Sequence, residues 1–341
     1  MKIAQVSPLF EPVPPQGYGG TERVVFYLTE ELVRQGHDVT LFASGDSRTR
    51  ARLVSVVEHS VRDSVLDQSW LAYHLIQMDR VAAMAEEFDI IHFHTDLLQF
   101  PALRHFYTPH LTTLHGRLDL PYLAPLYRHF SREPLVSISD SQRAPLPWAN
   151  WVATVHHGIP ADQHTFEPDP GDYFLFVGRI SPEKRVDRAI DIAVRCHRPI
   201  YIAAKLNKNE ETYFKDCIKP LLRHPLVTYV GEVGGKEKRE LLEHASALLF
   251  PIDWPEPFGL VMIESLSCGT PVIAYGHGAV REIVEDGVTG YIVSNQEEAV
   301  HAASRIDAIS RPRCRLAFER RFTAPHMAAN YLEAYRRLLP Q

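Results

Sequence analysis

At 341 residues with 45% hydrophobic side chains, the chain is long enough for about two domains, each with its own core. A formal net charge of −6 excludes a broadly basic surface for nucleic acid. The four cysteines, Cys196, Cys217, Cys268 and Cys314, form no C-x-x-C pair, which fits reduced thiols in the cytoplasm better than a disulfide framework or a zinc site.

The opening MKIAQVSPLF reads as a short strand and not as a signal peptide. No apolar run is long enough to span a bilayer, and peripheral membrane contact stays open. Apolar runs alternate with helical patterns throughout, the signature of parallel α/β sheets. The first half reads as strands at Lys2–Ser7, Asp38–Ala43, Ile90–His94, Leu111–Leu114, Leu135–Ile138 and Val152–His156, with helical patterns at Thr21–Gln35 and Asp67–Glu87. The proline-rich, polar stretch Phe166–Asp172 (FEPDPGD) reads as the linker. It divides residues 1–168 from residues 169–323, and a terminal helix follows at Pro325–Leu339 within residues 324–341. Strands of the second half are expected at Tyr173–Val177, Ile200–Ala204, Val227–Val230, Ala247–Phe250, Val272–Ala274 and Tyr291–Val293. Two doubly wound domains place their ligand crevices at the carboxyl ends of the strands. If those ends face each other, substrate sits in the cleft between them.

The loop after the first strand is long and carries Gly17-Tyr18-Gly19-Gly20 directly before a helix, with Thr21 as the expected N-cap. Such glycines permit close backbone approach to an anion, or serve only the turn itself. The run is not the dinucleotide fingerprint, because Glu22 occupies its third glycine position. His92 and His94 alternate on one strand, a geometry that could ligate a metal, but no third ligand is evident. Asp96 ends the same strand, and Leu111–Leu114 delivers His115 at the end of the next. In the second half, Tyr173–Val177 leads into GRISPEKR, so Arg179 and Lys184 sit at a strand's carboxyl end, where a βα unit binds anions. A guanidinium offers a fork to phosphate oxygens and an ammonium a point charge.

The stretch PIDWPEPFGLVMIESLSCGTP, Pro251–Pro271, carries the most information. The buried strand Ala247–Phe250 is stopped by prolines, and a loop with Asp253 and Glu256 follows. A helix then begins near Phe258-Gly259 and closes at Cys268-Gly269. Its first amides, expected on Phe258, Gly259 and Leu260, favour a phosphate through unpaired donors and the positive dipole end. Glu256 and Glu264 are spaced E-x7-E. Carboxylates repel a bare phosphate, so they fit hydroxyls better, and phosphate with hydroxyls together point to a sugar nucleotide.

EPFGLVMIESLSCGTPVIA resembles the donor-site signature of family 4 retaining glycosyltransferases. The resemblance implies the GT-B fold: α/β, with two doubly wound Rossmann-like domains facing each other across a cleft and the C-terminal helix crossing back to the first. Residues 1–168 would be the acceptor-side domain and 169–323 the donor-binding domain. It implies that Gly19 and Gly20 approach donor diphosphate or acceptor, and that Arg179 and Lys184 neutralise the leaving diphosphate. His115 would lie near the transferred sugar, and the turn Gly231-Glu232-Val233 would meet the nucleobase through backbone groups. Tyr275-Gly276-His277-Gly278 and Arg281–Val284 match the family's tail. His156-His157-Gly158-Ile159 and Ala161 depart from its usual Asn-Gly-Ile/Val-Asp.

The activity so implied is retaining, metal-independent transfer of a hexose from a nucleoside diphosphate sugar, a co-substrate, to a hydroxyl of a small-molecule, lipid or saccharide acceptor. No separate cofactor and no nucleic acid are expected. Arg179, Lys184 and the helix amides would hold developing negative charge. Glu264 would take ribose hydroxyls, and Glu256 those of the transferred sugar. Family members are thought to use a same-face route in which donor phosphate helps deprotonate the acceptor, so Glu256 is not assigned as nucleophile. Two other classes fit a similar fold: a sugar-nucleotide epimerase or hydrolase, and a non-catalytic sugar-nucleotide-binding protein. An NAD-dependent dehydrogenase fits least, because no strand-borne G-x-G-x-x-G is present.

Overall fold

The structure is a computed structural model and describes residues 1–17, 19–62, 69–104 and 106–340. Tyr18 of the glycine loop, Asp67 and Gln68 of the second expected helix, and Gln341 lie outside the described residues. The chain divides into two compact units, Met1–Pro160 with Ala324–Gln341, and Ala161–Thr323.

In the first unit the strands are β1 (Lys2–Val6), β2 (Asp38–Phe42), β3 (Arg52–Val54), β4 (Ile90–Phe93), β5 (His110–Thr113), β6 (Leu135–Ser137) and β7 (Trp151–Thr154). Among the described residues they form a parallel sheet in the order β3-β2-β1-β4-β5-β6-β7. Both faces are covered, so runs such as IIHF in β4 are buried throughout instead of alternating. The helix Gly20–Arg34 buries Val24, Val25, Leu28 and Leu32, the spacing of one helical face. β3 escapes a reading by hydrophobic runs because it is a three-residue edge strand, exposed or half-buried along its length.

In the second unit the strands are β8 (Phe174–Arg179), β9 (Ile200–Lys205), β10 (Val227–Gly231), β11 (Ala247–Phe250), β12 (Val272–Tyr275) and β13 (Gly290–Val293). They too are parallel, in the order β10-β9-β8-β11-β12-β13. Counted within the unit, this is the 3-2-1-4-5-6 order of a doubly wound sheet, whose direction of winding reverses between its first and fourth strands. Here those strands are β8 and β11.

The unit boundary falls at Pro160/Ala161, ahead of the proline-rich stretch expected to be the linker. That stretch is strapped to the second unit. The Thr165 amide donates to the Glu243 carboxylate (2.7 Å), Glu167 N to Cys268 O (3.1 Å) and Gly171 N to His244 O (2.7 Å). Buried Arg311 donates to the carbonyls of Glu167 (2.6 Å), Ala245 (2.8 Å) and Glu243 (2.6 Å). The proline-rich composition reads as a linker, whereas these partners, distant in sequence, tie a largely exposed stretch to the second unit.

The chain returns to the first unit where Ala324 N donates to Ile159 O (2.8 Å). The terminal helix Ala324–Leu338 then packs beside the helix Gly20–Arg34 and buries Met327, Tyr331 and Tyr335. The crossing back to the first unit is therefore as expected. Among the described residues, no helix is long and apolar enough to cross a membrane, and all four cysteines are free thiols.

Candidate active site

The loops following β8 and β11 leave the sheet at its winding reversal, and Asp253 stitches them together. Asp253 N donates to Glu183 O (2.8 Å), and the Asp253 carboxylate accepts from Arg185 (2.9 Å) and Arg188 (3.2 Å). Asp253 is thus spent on holding the loops together. Lys184, from the first loop, forms an ion pair with Glu256, from the second. Trp254 Nε1 donates to the same carboxylate at 3.0 Å. The Lys184 ammonium also lies 4.9 Å from the Trp254 ring centroid and 5.7 Å from that of Phe250, a contact that favours a cation over an aromatic face.

The helix Leu260–Ser267 starts beside this pair. Gly259 is its N-cap, in a left-handed conformation (φ 90°) that strains any residue with a Cβ. An added Cβ would also lie 2.7 Å from Met262 Cε and 3.4 Å from Glu256 Cγ, so the helix start and Glu256 are in contact. The leading amides are those of Gly259, Leu260 and Val261, one residue later than expected. Phe258 lies ahead of the helix because its ring is a core element, buried against Phe322 at 6.2 Å between centroids.

Gly278 explains the glycine-rich tail. It stands at φ 60°, and a Cβ there would lie 2.3 Å from both the amide nitrogen and the carbonyl oxygen of Glu256. Ala279 N then donates to that carbonyl (3.0 Å). The motif after β12 therefore holds the Glu256 loop in place by close backbone packing.

Arg179 ends β8 and makes a 3.3 Å contact with Glu183, while its Nε is buried without a hydrogen-bond partner among the described residues. The Ser181 hydroxyl, which no motif singles out, is likewise buried and has no hydrogen-bond partner among the described residues. Glu264 is 3% exposed and pairs with Lys238 at 2.6 Å. Lys238 lies on the helix Gly235–His244 and was missed. Only its position three residues into a helix otherwise rich in charge marked it, which is no signal at all.

In the first unit, Gly19 is the N-cap of the helix Gly20–Arg34, displacing Thr21 into its first turn. It packs against Pro15, where an added Cβ would lie 2.7 Å from the proline Cβ. Gly20 is the first helical residue. Glu22 of the same turn is 5% exposed, and burial pushes its carboxyl up to about 7. Asp96 follows β4 at φ 54° and is exposed, and its carboxylate accepts from the His115 amide.

His115 lies just past β5 with its Nε2 2.9 Å from His94 Nδ1, and its ring stacks on His157 at 5.3 Å. Burial pushes its imidazole down to about 3, and those of His92, His94 and His157 well below the ordinary histidine value. His92 and His94 are not metal ligands in this geometry: their ring nitrogens are taken by Tyr335, Thr113, His115 and Gln5. Among the described residues no group of three or more His, Cys, Asp or Glu is arranged to hold a metal.

Comparison with known proteins agrees with this architecture. The family model described as Glycosyltransferase Family 4 matches residues 18–159, and that described as Glycosyl transferases group 1 matches residues 161–320. The two meet at the boundary between the units. A glycogen synthase of Mycobacterium tuberculosis is 26% identical over 350 residues, covering 88% of this chain and 84% of that protein. The crystal structure of AviGT4, a glycosyltransferase involved in avilamycin A biosynthesis, superposes with a TM-score of 0.75 at 24% identity, covering 99% of this chain and 98% of that one. Anabaena Alr3699/HepE, crystallised with UDP and glucose, superposes with a TM-score of 0.76 at 18% identity, covering 99% and 100%. With one family model on each unit, and together spanning most of the chain, the protein belongs to the family 4, group 1 glycosyltransferases and has the GT-B fold.

Proposed function

We propose that the protein is a retaining, metal-independent hexosyltransferase that takes a sugar from a nucleoside diphosphate donor and delivers it to a hydroxyl acceptor. The observation that carries this reading is the meeting of the Lys184 turn and the Leu260–Ser267 helix start at the winding reversal between β8 and β11. A pyrophosphate seated there meets Arg179, Lys184 and the amides of Gly259 and Leu260, with Phe258 packing beneath them. Pre-set donors of this kind stabilise charge as it develops on the leaving group. The Lys184 ammonium has three N–H donors. One serves Glu256, and the others are available to phosphate oxygens, so a carboxylate and an anion can share one neighbourhood without direct repulsion.

Glu264 takes the ribose hydroxyls, with Lys238 moving aside or sharing the carboxylate. Glu256 takes hydroxyls of the transferred sugar and orients the ring. His115 contributes a hydrogen bond to that sugar, and the amides of Gly19 and Gly20 approach the diphosphate or the acceptor. Retention through the same-face route is supported by Glu256 being held in an ion pair and by Trp254, which makes it a poor free nucleophile. Metal independence is supported by the two cations at the ends of the loop after β8, which can supply the positive charge a divalent ion would bring.

The test is incubation with a panel of labelled nucleotide sugars and hydroxyl acceptors, with and without EDTA, followed by NMR of the anomeric linkage. The expected result is acceptor-dependent product of unchanged anomeric configuration and an EDTA-insensitive rate. An inverted linkage overturns retention, and loss of rate in EDTA overturns metal independence. Epimer, or free sugar formed irrespective of acceptor, overturns transfer itself.

A further inference from the structure

The first unit contains a single file of hydrogen bonds that runs from the C-terminal helix through the sheet to His115. Its members come from β1, from β4 and β5 and the residues just past them, and from the helix Ala324–Leu338, and all except His115 are buried. Gln5 Nε2 donates to the Tyr335 hydroxyl (3.0 Å), and the Gln5 side-chain carbonyl lies 2.8 Å from His94 Nε2. His94 Nδ1 in turn lies 2.9 Å from His115 Nε2. In the other direction the Tyr335 hydroxyl lies 2.7 Å from His92 Nδ1, His92 Nε2 lies 2.7 Å from Thr113 Oγ1, and that hydroxyl lies 3.0 Å from Tyr331.

Each neutral imidazole carries one proton, so its two nitrogens have opposite roles. Burial keeps these rings neutral. The roles then follow in order. A Gln5 carbonyl can only accept, so His94 carries its proton on Nε2 and presents a bare Nδ1. His115 must donate to that bare nitrogen from Nε2, which leaves its own Nδ1 bare. This Nδ1 has no hydrogen-bond partner among the described residues. On the other branch Tyr335 accepts from Gln5 and so donates to His92, whose Nε2 donates to Thr113. Turning the Gln5 amide over reverses every step and ends in an unmatched His115 Nδ1–H. A buried donor without an acceptor is a costly end to such a chain.

We propose that the Gln5 amide, acting through His94, fixes the tautomer of His115 so that its Nδ1 accepts a hydrogen bond from a hydroxyl of the transferred sugar. Gln5 and His94 are positioning residues, and Tyr335 anchors the amide from the C-terminal helix. The assignment to a sugar hydroxyl rests on the function proposed above, whereas the tautomer itself does not.

Long-range proton–nitrogen NMR of the imidazoles reads the tautomer directly in the full-length protein. His115 is expected to carry its proton on Nε2 in the unsubstituted protein. Gln5→Met and Tyr335→Phe should both give a mixture of tautomers, the second without touching His94. A proton on Nδ1 in the unsubstituted protein, or a tautomer unmoved by both substitutions, overturns the proposal. A merely structural network would lower the melting temperature and leave the proton on Nε2.

Kinetics with donors lacking one sugar hydroxyl at a time test the contact. Gln5→Met should lower kcat/KM for the complete donor about tenfold, as loss of one hydrogen bond of about 1.4 kcal/mol would. That penalty should vanish for one deoxy donor, and a penalty equal for all donors overturns the sugar contact. If no nucleotide sugar is turned over by the unsubstituted protein, the function proposed above fails, while the NMR result still decides the tautomer.

Discussion

Lys184 and Glu256, 72 residues apart in sequence, form an ion pair at the ends of the two central strands of the second unit. Both side chains are mostly buried, so removing either one leaves a charge in a poorly solvated place. Lys184→Ala should therefore abolish the thermal stabilisation that a nucleoside diphosphate sugar confers, and reduce kcat/KM by about 10²–10³, the range for losing one preorganised charge donor. Differential scanning fluorimetry with and without donor checks this. A Lys184→Ala protein that is folded and keeps its full donor shift would place the diphosphate elsewhere.

Glu264 and Lys238 make the second pairing, and here the carboxylate is almost fully covered. Glu264→Ala should likewise abolish donor-induced stabilisation in a protein that stays folded. Lys238→Ala should instead destabilise the free protein, because it removes the cation that pairs with the buried Glu264 carboxylate. Donor should then recover part of the loss by supplying hydroxyls to the carboxylate. Titrating melting temperature against donor separates the two variants, and identical behaviour would count against the ribose role of Glu264.

Gly278 packs directly against the backbone of Glu256. Gly278→Ala must move that loop or strain both segments, at a cost of about 1–3 kcal/mol. Activity should fall further than stability, because small displacements of a positioning group are expensive in rate. Denaturant midpoints beside steady-state rates give the comparison. A variant with normal kcat would show that Glu256 tolerates displacement.

Arg311 is 6% exposed and donates to three backbone carbonyls and to the Thr270 hydroxyl (2.9 Å). Arg311→Met preserves much of the volume but leaves those acceptors unsatisfied. Allowing for partial relaxation, the loss should be roughly 3 kcal/mol, read from urea unfolding of the second unit. Loss below about 1 kcal/mol would mean that water replaces the guanidinium.

Acid should destabilise the protein through its buried histidines. Burial pushes His164 down to about 4 and His115 to about 3, from an ordinary value of 6.5. The unfolded chain takes up these protons as pH falls through about 6.5, while the folded chain resists until much lower. Their contribution is thus complete above pH 6.5 and is lost progressively toward pH 4 and 3. His164, whose Nδ1 lies 2.8 Å from Ser267 Oγ, offers the cleaner test. His164→Gln should flatten the fall in urea midpoint between pH 7 and 5, and an unchanged slope would refute the assignment.

Most of the strands were legible in the sequence, because a parallel strand buried on both faces is a short apolar run, and such runs are local. The motifs of the candidate site were legible for the same reason: EPFG, its helix and the GRISPEKR turn are each contiguous. The edge strand β3 was not, since three half-exposed residues carry no hydrophobic pattern. The start of the Leu260–Ser267 helix was misplaced by one residue because nothing local distinguishes a core Phe258 from a capping one.

By itself, then, the order of residues determined the α/β class and the contiguous motifs from which the candidate site is proposed. Only tertiary structure decided the partners. Lys184 with Glu256, Lys238 with Glu264, Arg311 with the strap at Glu167, and Gln5 with Tyr335 are pairs brought together by strand order and by the returning terminal helix. Periodicity reports which face of an element is buried. It is silent on which distant segment lies against that face, and the hydrogen bonds and charges that tune each group come from there.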